Sequence, residues 1–250
     1  MTETELVHYD VADEVGTITL DSPHNRNALS RQLLTELVAH LESAAADDAV
    51  KIVLLRSADR VFCSGADLSE VTGDEGPAEG VKAIVQLQRF IATLPKPVVV
   101  ELKGPVRAGG LGIVGAADLV IAAESVTFAL TEVRLALAPS VISLSLLTRF
   151  TSRAAADLFL TGRTFTADEA VNVGLITKVV PDDELAAELD AVLADLRKGY
   201  PQGHRETKLL LNHDLVARID ALGGEVAAQS ARLFGSEQAR EAILAFLAKK

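Results

Sequence analysis

Residues 97–123 read PVVVELKGPVRAGGLGIVGAADLVIAA. Pro97 to Leu102 is an apolar run interrupted only by Glu101, the pattern of a strand buried on both faces. KGPVRAGG is a loop in which two adjacent glycines open a small, apolar stretch of helical character, and DLVIAA returns to strand. Strand, glycine loop, helix and strand make one crossover between parallel strands, a connection that is right-handed in nearly every case. The same order precedes it. KIVLL (51–55) is a buried strand, FCSGADL (62–68) a small-residue loop, and residues 80–94 a helix.

Upstream, VGTITL (15–20) alternates, with Ile18 and Leu20 on one face and Thr17 and Thr19 on the other. It pairs with residues 5–11 in a hairpin around Asp13-Glu14. Ser30 then caps a helix whose stripe is Leu33, Leu34, Leu37, Val38 and Leu41. VTFAL adds a further strand. The spacing therefore predicts an α/β fold with a largely parallel sheet. Past residue 140 helical patterns dominate, apart from GLITKVV. Residues 183–198 carry Leu185, Leu189, Val192, Leu193 and Leu196 on one face with Gly199 as a stop, and residues 236–248 begin at Ser236 and show Ala239, Ile243 and Leu247. The expected organisation is an α/β core over 1–190 and a helical region over 191–250, with residues 69–80 (SEVTGDEGPAEG) as a mobile acidic loop.

The chain has 250 residues, 49% hydrophobic and 24% charged, a globular composition that can bury a full core. Its net charge of −11 argues against affinity for nucleic acid or anionic membrane. The single cysteine, Cys63, excludes an internal disulfide and a multi-cysteine metal site. None of His8, His24, His40, His204 and His213 shows metal-ligand spacing, so no metal is expected. No secretory signal and no membrane span are visible, which fits the cytoplasm.

The two glycine loops, FCSGADL and RAGGLG (107–112), each follow a strand and precede a helix. A helix start leaves main-chain N–H groups unpaired, and small residues let a ligand oxygen approach them. Two such amides converging would form an oxyanion hole, which needs no reactive side chain. The bland reading is that the glycines only let helices pack on strands. Neither loop matches a dinucleotide or phosphate-loop fingerprint.

SPHNRNAL, RVFCSGADL, AGGLGIVGAADLVIAAESVTFALTEVRLALAP and the tail FGSEQAREAILAFLAKK together resemble the crotonase superfamily, the enoyl-CoA hydratases and isomerases, almost end to end. The resemblance implies a spiral of β-β-α repeats with a C-terminal helical trimerisation region, giving a homotrimer or a dimer of trimers. It implies an acyl-CoA thioester as substrate, as in fatty-acid metabolism, with CoA entering as part of the substrate and no further cofactor. It places the oxyanion-hole amides at Ala66 and Gly109, the catalytic carboxylate at Glu132, and residues 66–69 (Ala66, Asp67, Leu68 and Ser69) along the CoA arm. Ser64 and Arg26 join the substrate-binding set.

One departure stands out. Typical hydratases carry a first glutamate three residues after the second oxyanion glycine; here that position is Gly112. The PGGGG that usually follows the second glutamate is PSVIS at 139–143. The combination is similar to methylglutaconyl-CoA hydratase-like members, which keeps hydration of a 2-enoyl-CoA to the 3-hydroxyacyl-CoA as the leading expectation. Isomerisation of a 3-enoyl to a 2-enoyl thioester needs one base, which Glu132 alone supplies. An acyl-CoA binding protein that has lost turnover is the alternative from another class. Glu132, set between TFAL and VRLAL, must face a cavity or pair with a cation such as Arg134. Glu70, Asp74, Glu75 and Glu79 read as a solvated acidic loop, Cys63 as a buried filler, and Asp67 and Asp118 as structural. Arg26, Lys249 and Lys250 are candidates to offset CoA phosphates.

Overall fold

The computed structural model describes residues 4–71 and 78–248. Asp74, Glu75, Lys249 and Lys250 lie outside the described residues. Strands β1 (Val7–Ala12) and β2 (Val15–Leu20) form the expected hairpin, closed by Asp13 (φ 48) and Glu14 (φ 66), both left-handed. Two left-handed residues give the turn whose twist matches that of the strands it joins. Helix α1 (Arg31–Ala46) starts where the Ser30 hydroxyl accepts from the Leu33 N–H at 3.3 Å. Strand β3 (Ile52–Ser57), helices α2 (Leu68–Val71) and α3 (Ala78–Thr93), strands β4 (Val98–Leu102) and β5 (Val106–Arg107), and helix α4 (Gly110–Ala116) follow. Next come β6 (Leu119–Ala123), β7 (Thr127–Ala129), α5 (Ser143–Arg149), α6 (Ser152–Thr161), β8 (Thr164–Thr166), α7 (Ala167–Asn172) and β9 (Lys178–Val180). The chain ends in helices α8 (Leu185–Arg197), α9 (Pro201–Leu211), α10 (His213–Phe234) and α11 (Glu237–Leu247).

The larger sheet has the order β1-β2-β3-β4-β6-β9, and every pairing after the first hairpin is parallel. Its two faces explain why IVLL (52–55) is continuously apolar. Val53 and Leu55 join the main core with leucines of α1 and Ile84 and Leu87 of α3. Ile52 and Leu54 point to the opposite face, where Leu189 and Leu193 of α8 cover them. Alternation along the strand thus buries both sets. The smaller sheet, β5-β7-β8, carries the loops that frame the site.

The fold is mixed α/β with a helical C-terminal region, as the residue pattern predicts. Of the expected mobile loop over 69–80, residues 69–71 lie in the helical turn Leu68–Val71 and residues 78–80 in α3, and residues 72–77 lie outside the described residues. No helix among the described residues is long and apolar enough to cross a membrane.

One buried ion pair ties α9 to the sheet. Lys208, 5% exposed, places its ammonium 2.7 Å from Asp118 and donates to the Lys96 carbonyl at 3.0 Å. Asp118 also accepts from the Val98 N–H at 2.7 Å and from Asn212 Nδ2 at 3.1 Å, so its carboxylate caps the start of β4. Burial pulls the Lys208 ammonium below its ordinary value, and Asp118 pulls the other way. Removing one member of such a pair strands the other charge. Lys208→Met is expected to cost about 3 kcal/mol of folding stability, read as a lower urea midpoint with an unchanged slope. An unaltered midpoint counts against this role for the pair.

Candidate functional site

The two glycine loops meet. Residues 62–68 lie beside residues 105–109: the Arg107 N–H donates to the Cys63 carbonyl at 2.9 Å, and the Phe62 N–H to the Pro105 carbonyl at 3.1 Å. Gly65 turns the first loop at φ +97, and a Cβ there would stand 2.8 Å from the Ala108 Cβ, so only glycine fits. Its carbonyl accepts from the Leu29 N–H at 2.8 Å, which docks the 22–30 loop on the same spot. The second loop is held by Ala108, left-handed at φ 45, whose N–H donates to the Ala129 carbonyl at 3.0 Å.

This arrangement brings Ala66 and Gly109 together. A Cβ on Gly109 would lie 3.6 Å from the Ala66 nitrogen and 3.1 Å from Leu29 Cδ1. Neither the Ala66 N–H nor the Gly109 N–H meets an acceptor among the described residues. Both residues line a cleft of about 1750 Å³, large enough for a ligand of nucleotide-thioester size. Paired free N–H groups on a cleft wall are suited to receive one oxygen that carries negative charge.

Glu132 lines the same cleft. It sits in the 3-10 turn Thr131–Leu135 directly after β7, and Ala136, left-handed at φ 56, closes the turn. Leu137 packs on Ala239 and Ile243 of α11, with Leu135 and Leu68 alongside, so the C-terminal helix clamps the segment that carries the glutamate. Part of the residue reaches solvent, yet its Oε2 is buried without a hydrogen-bond partner. Burial of the carboxylate pushes the group up to about 7 from the ordinary 4.5, against a small opposing pull from its own main-chain N–H. Arg134 is exposed and forms no ion pair with it, so of the two expected arrangements the structure has Glu132 facing a cavity.

The remaining candidates divide. Arg26, Ser64, Asp67, Leu68 and Ser69 all line the cleft. Ser64 donates its hydroxyl to the Asn25 carbonyl at 3.0 Å, and its main-chain N–H to the Arg26 carbonyl at 3.1 Å. Asp67 accepts from Ser69 N–H at 3.0 Å, from the Ser69 hydroxyl at 2.6 Å and from Asn25 Nδ2 at 3.0 Å. Burial pushes the Asp67 carboxyl up, but these bonds outweigh it and hold the group below its ordinary value. Asp67 therefore orients its loop, and Arg26, exposed at the rim, leaves its guanidinium to solvent or ligand. Glu70 accepts from the Arg31 N–H at 2.9 Å and Glu79 pairs with Lys82, which makes both of them rim residues with local partners. Cys63 is fully buried and burial pushes its thiol up to about 12, as befits a filler.

Gly112 is buried, and the space beyond it is occupied. A Cβ there would stand 3.2 Å from Gln88 Cδ and 3.2 Å from Ile142 Cγ2. Gln88 escaped the sequence reading. Its signal was a lone amide in the stripe Val81, Ile84, Leu87 and Ile91, on the buried face of α3. Among the described residues, no group of three or more His, Cys, Asp or Glu side chains is placed to hold a metal ion.

The family model described as enoyl-CoA hydratase/isomerase matches residues 10–250. The crystal structure of an enoyl-CoA hydratase from Mycobacterium avium is 40% identical, covers 99% of this chain and 98% of its own, and superposes with a TM-score of 0.90. The 1,2-epoxyphenylacetyl-CoA isomerase of Escherichia coli K12 is 32% identical over 98% of this chain and 97% of its own. The trans-2-decenoyl-[acyl-carrier-protein] isomerase of Streptococcus mutans is 30% identical over 80% of this chain and 79% of its own.

The Glu132 geometry has a consequence for stability. The unfolded chain releases this proton near 4.5 and the folded chain near 7, so folding loses stability as pH rises between those values. Glu132→Gln removes the ionisation. The variant is expected to match the wild type near pH 4.5 and to exceed it by about 3 kcal/mol at pH 8, measured by denaturant unfolding. Equal pH dependence in the two proteins would show that the carboxylate is not desolvated.

Proposed function

Because the chain belongs to the enoyl-CoA hydratase/isomerase family, and is an enzyme of the crotonase superfamily, we propose that it moves a proton within an unsaturated acyl-CoA thioester. The thioester oxygen accepts hydrogen bonds from the Ala66 and Gly109 N–H groups, and Glu132 is the acid–base group. The observation that carries this reading is the paired, unoccupied main-chain donors on the cleft that Glu132 also lines. CoA enters as part of the substrate. Arg26 at the rim opposes its phosphates, and residues 64–69 flank its arm.

The chemistry that fits a single carboxylate is the 3-enoyl to 2-enoyl shift. Glu132 takes a proton from C2, the C3=C4 electrons delocalise, and the charge settles on the thioester oxygen between the two amides. The same carboxyl returns the proton to C4, leaving a C2=C3 double bond, with no water and no net proton consumed. A group poised near 7 is half ionised at neutral pH and serves both halves of this cycle. A second reading, hydration of a 2-enoyl-CoA, is favoured by the likeness to the M. avium hydratase. There Glu132 takes the proton of a water that attacks C3, and returns it to C2. Self-association into a trimer or a pair of trimers is part of the proposal, supported by Tyr200, Leu210 and Leu211, which are 83%, 80% and 74% exposed on and beside α9.

Incubation with 3-hexenoyl-CoA tests the reading through growth of conjugated-thioester absorbance. The expected kcat/KM rises with pH through about 7 as Glu132 ionises. Glu132→Gln is expected to lose about 10³-fold and Gly109→Val about 10²- to 10³-fold. Loss of crotonyl-CoA absorbance without isomer formation would replace isomerisation with hydration. Tight CoA-ester binding with neither reaction would make the chain a binder.

A further inference from the structure

Gln88 is 0% exposed on a helix face otherwise apolar. A buried carboxamide must find partners, and this one finds three. Its Nε2 donates to the Val141 carbonyl at 3.0 Å and to the Ile84 carbonyl at 3.3 Å, and its Oε1 accepts from the Ser145 hydroxyl at 2.7 Å. Ser145 is likewise 0% exposed, with its hydroxyl 3.5 Å from the Gly112 carbonyl. One side chain therefore joins α3, α5 and the Pro139–Ile142 strip, all against α4. Val141 and Ile142 line the cleft, and Gln88 stands behind them. The space over Gly112, one helical turn past the Gly109 amide, is filled from behind by the carboxamide and from the front by Ile142.

We propose that Gln88 is a positioning residue that sets the outcome of the reaction: by the volume it fills between Ser145 and Val141, it backs the Val141–Ile142 wall over Gly112 and keeps water and any second acid–base group away from the thioester enolate. This inference rests on the thioester reading above. Hydration needs a water held by polar groups beside C3, and the wall offers an isoleucine side chain there instead. Removing the carboxamide changes that. The Val141 carbonyl and the Ser145 hydroxyl then face an emptied space behind the wall, and Ile142, its backing gone, withdraws into it and leaves room for water on the cleft side. That water attacks C3 of the conjugated thioester; its oxygen bonds to C3, and the proton reaches C2 through Glu132.

The test compares product ratios, 3-hydroxyacyl-CoA against 2-enoyl-CoA, starting from 3-hexenoyl-CoA. Gln88→Leu breaks the same hydrogen bonds as Gln88→Ala but refills the space with apolar atoms. The ratio is expected to be low and similar in wild type and Gln88→Leu, and to rise about tenfold or more in Gln88→Ala. Where Gln88→Ala fails to fold, Gln88→Asn, which withdraws the carboxamide by one methylene, replaces it. A ratio that stays constant, or rises equally in the leucine variant, overturns the role of Gln88. So does a wild type that hydrates faster than it isomerises. Exchange of the C2 protons of butyryl-CoA with deuterated solvent separates the two levels of the argument. Exchange with an unmoved ratio overturns Gln88 alone, whereas no exchange in any variant overturns the thioester reading and the role of Gln88 together.

Discussion

Two main-chain N–H groups left without acceptors are the constraint around which this molecule is arranged. A secluded amide with no partner costs free energy, and chains normally avoid it. Here the Ala66 and Gly109 amides are kept open because the residues beside them are fully committed. Gly65 gives its carbonyl to Leu29, Ala108 gives its N–H to Ala129, and Arg107 is hydrogen-bonded to Cys63. The left-handed Ala108 at φ 45 is part of the same price, a strained alanine held in place by the edge of the smaller sheet. Parallel strands β3 and β4 deliver both loops to the same end of the larger sheet, where crossover loops of such folds gather ligands.

The carboxylate obeys a related logic. The chain has 35 acidic against 24 basic residues, and among the described residues the Glu132 carboxylate stands apart in having its Oε2 buried without a hydrogen-bond partner. Its segment would be free to turn outward were it not for Leu137 beneath α11, so the C-terminal helices do more than lengthen the fold. They hold a desolvated acid against the cleft, and desolvation is what brings it to a working range near neutrality.

Much of this was legible in the residues. The alternation of VGTITL, the apolar IVLL and PVVV runs and the glycine loops between them defined the parallel sheet, because strand burial leaves a period-two or unbroken apolar signature that needs no tertiary knowledge. Ser30 and Ser236 marked helix starts for the same reason, each accepting from the N–H three residues on. The separate helices α9 and α10 were not legible. Their first turns lack a side-chain cap, and Gly223-Gly224 interrupts the stripe of α10. The three-residue β8 is too short to show a period. In the site, Ala66, Gly109 and Glu132 came from motif positions, and the structure brings all three to one cleft. Gln88 carried only the faint signal of an amide in an apolar stripe, since its partners at Val141 and Ser145 lie more than fifty residues away.

That distance explains why the missing side chain at residue 112 does not leave a hole. A glycine facing an empty, polar pocket would admit solvent, and solvent beside a conjugated thioester is a reactant. The chain instead closes the gap from a different element, with a group that is polar enough to tie three segments together yet has no proton to exchange at neutral pH. A leucine at 88 would fill the volume but leave the Val141 carbonyl without its donor inside the core; a glutamate would add a second titrating group beside the first. Glutamine alone among the side chains of that length satisfies both demands, so the chemistry left to the cleft is whatever one carboxylate and two amides can do.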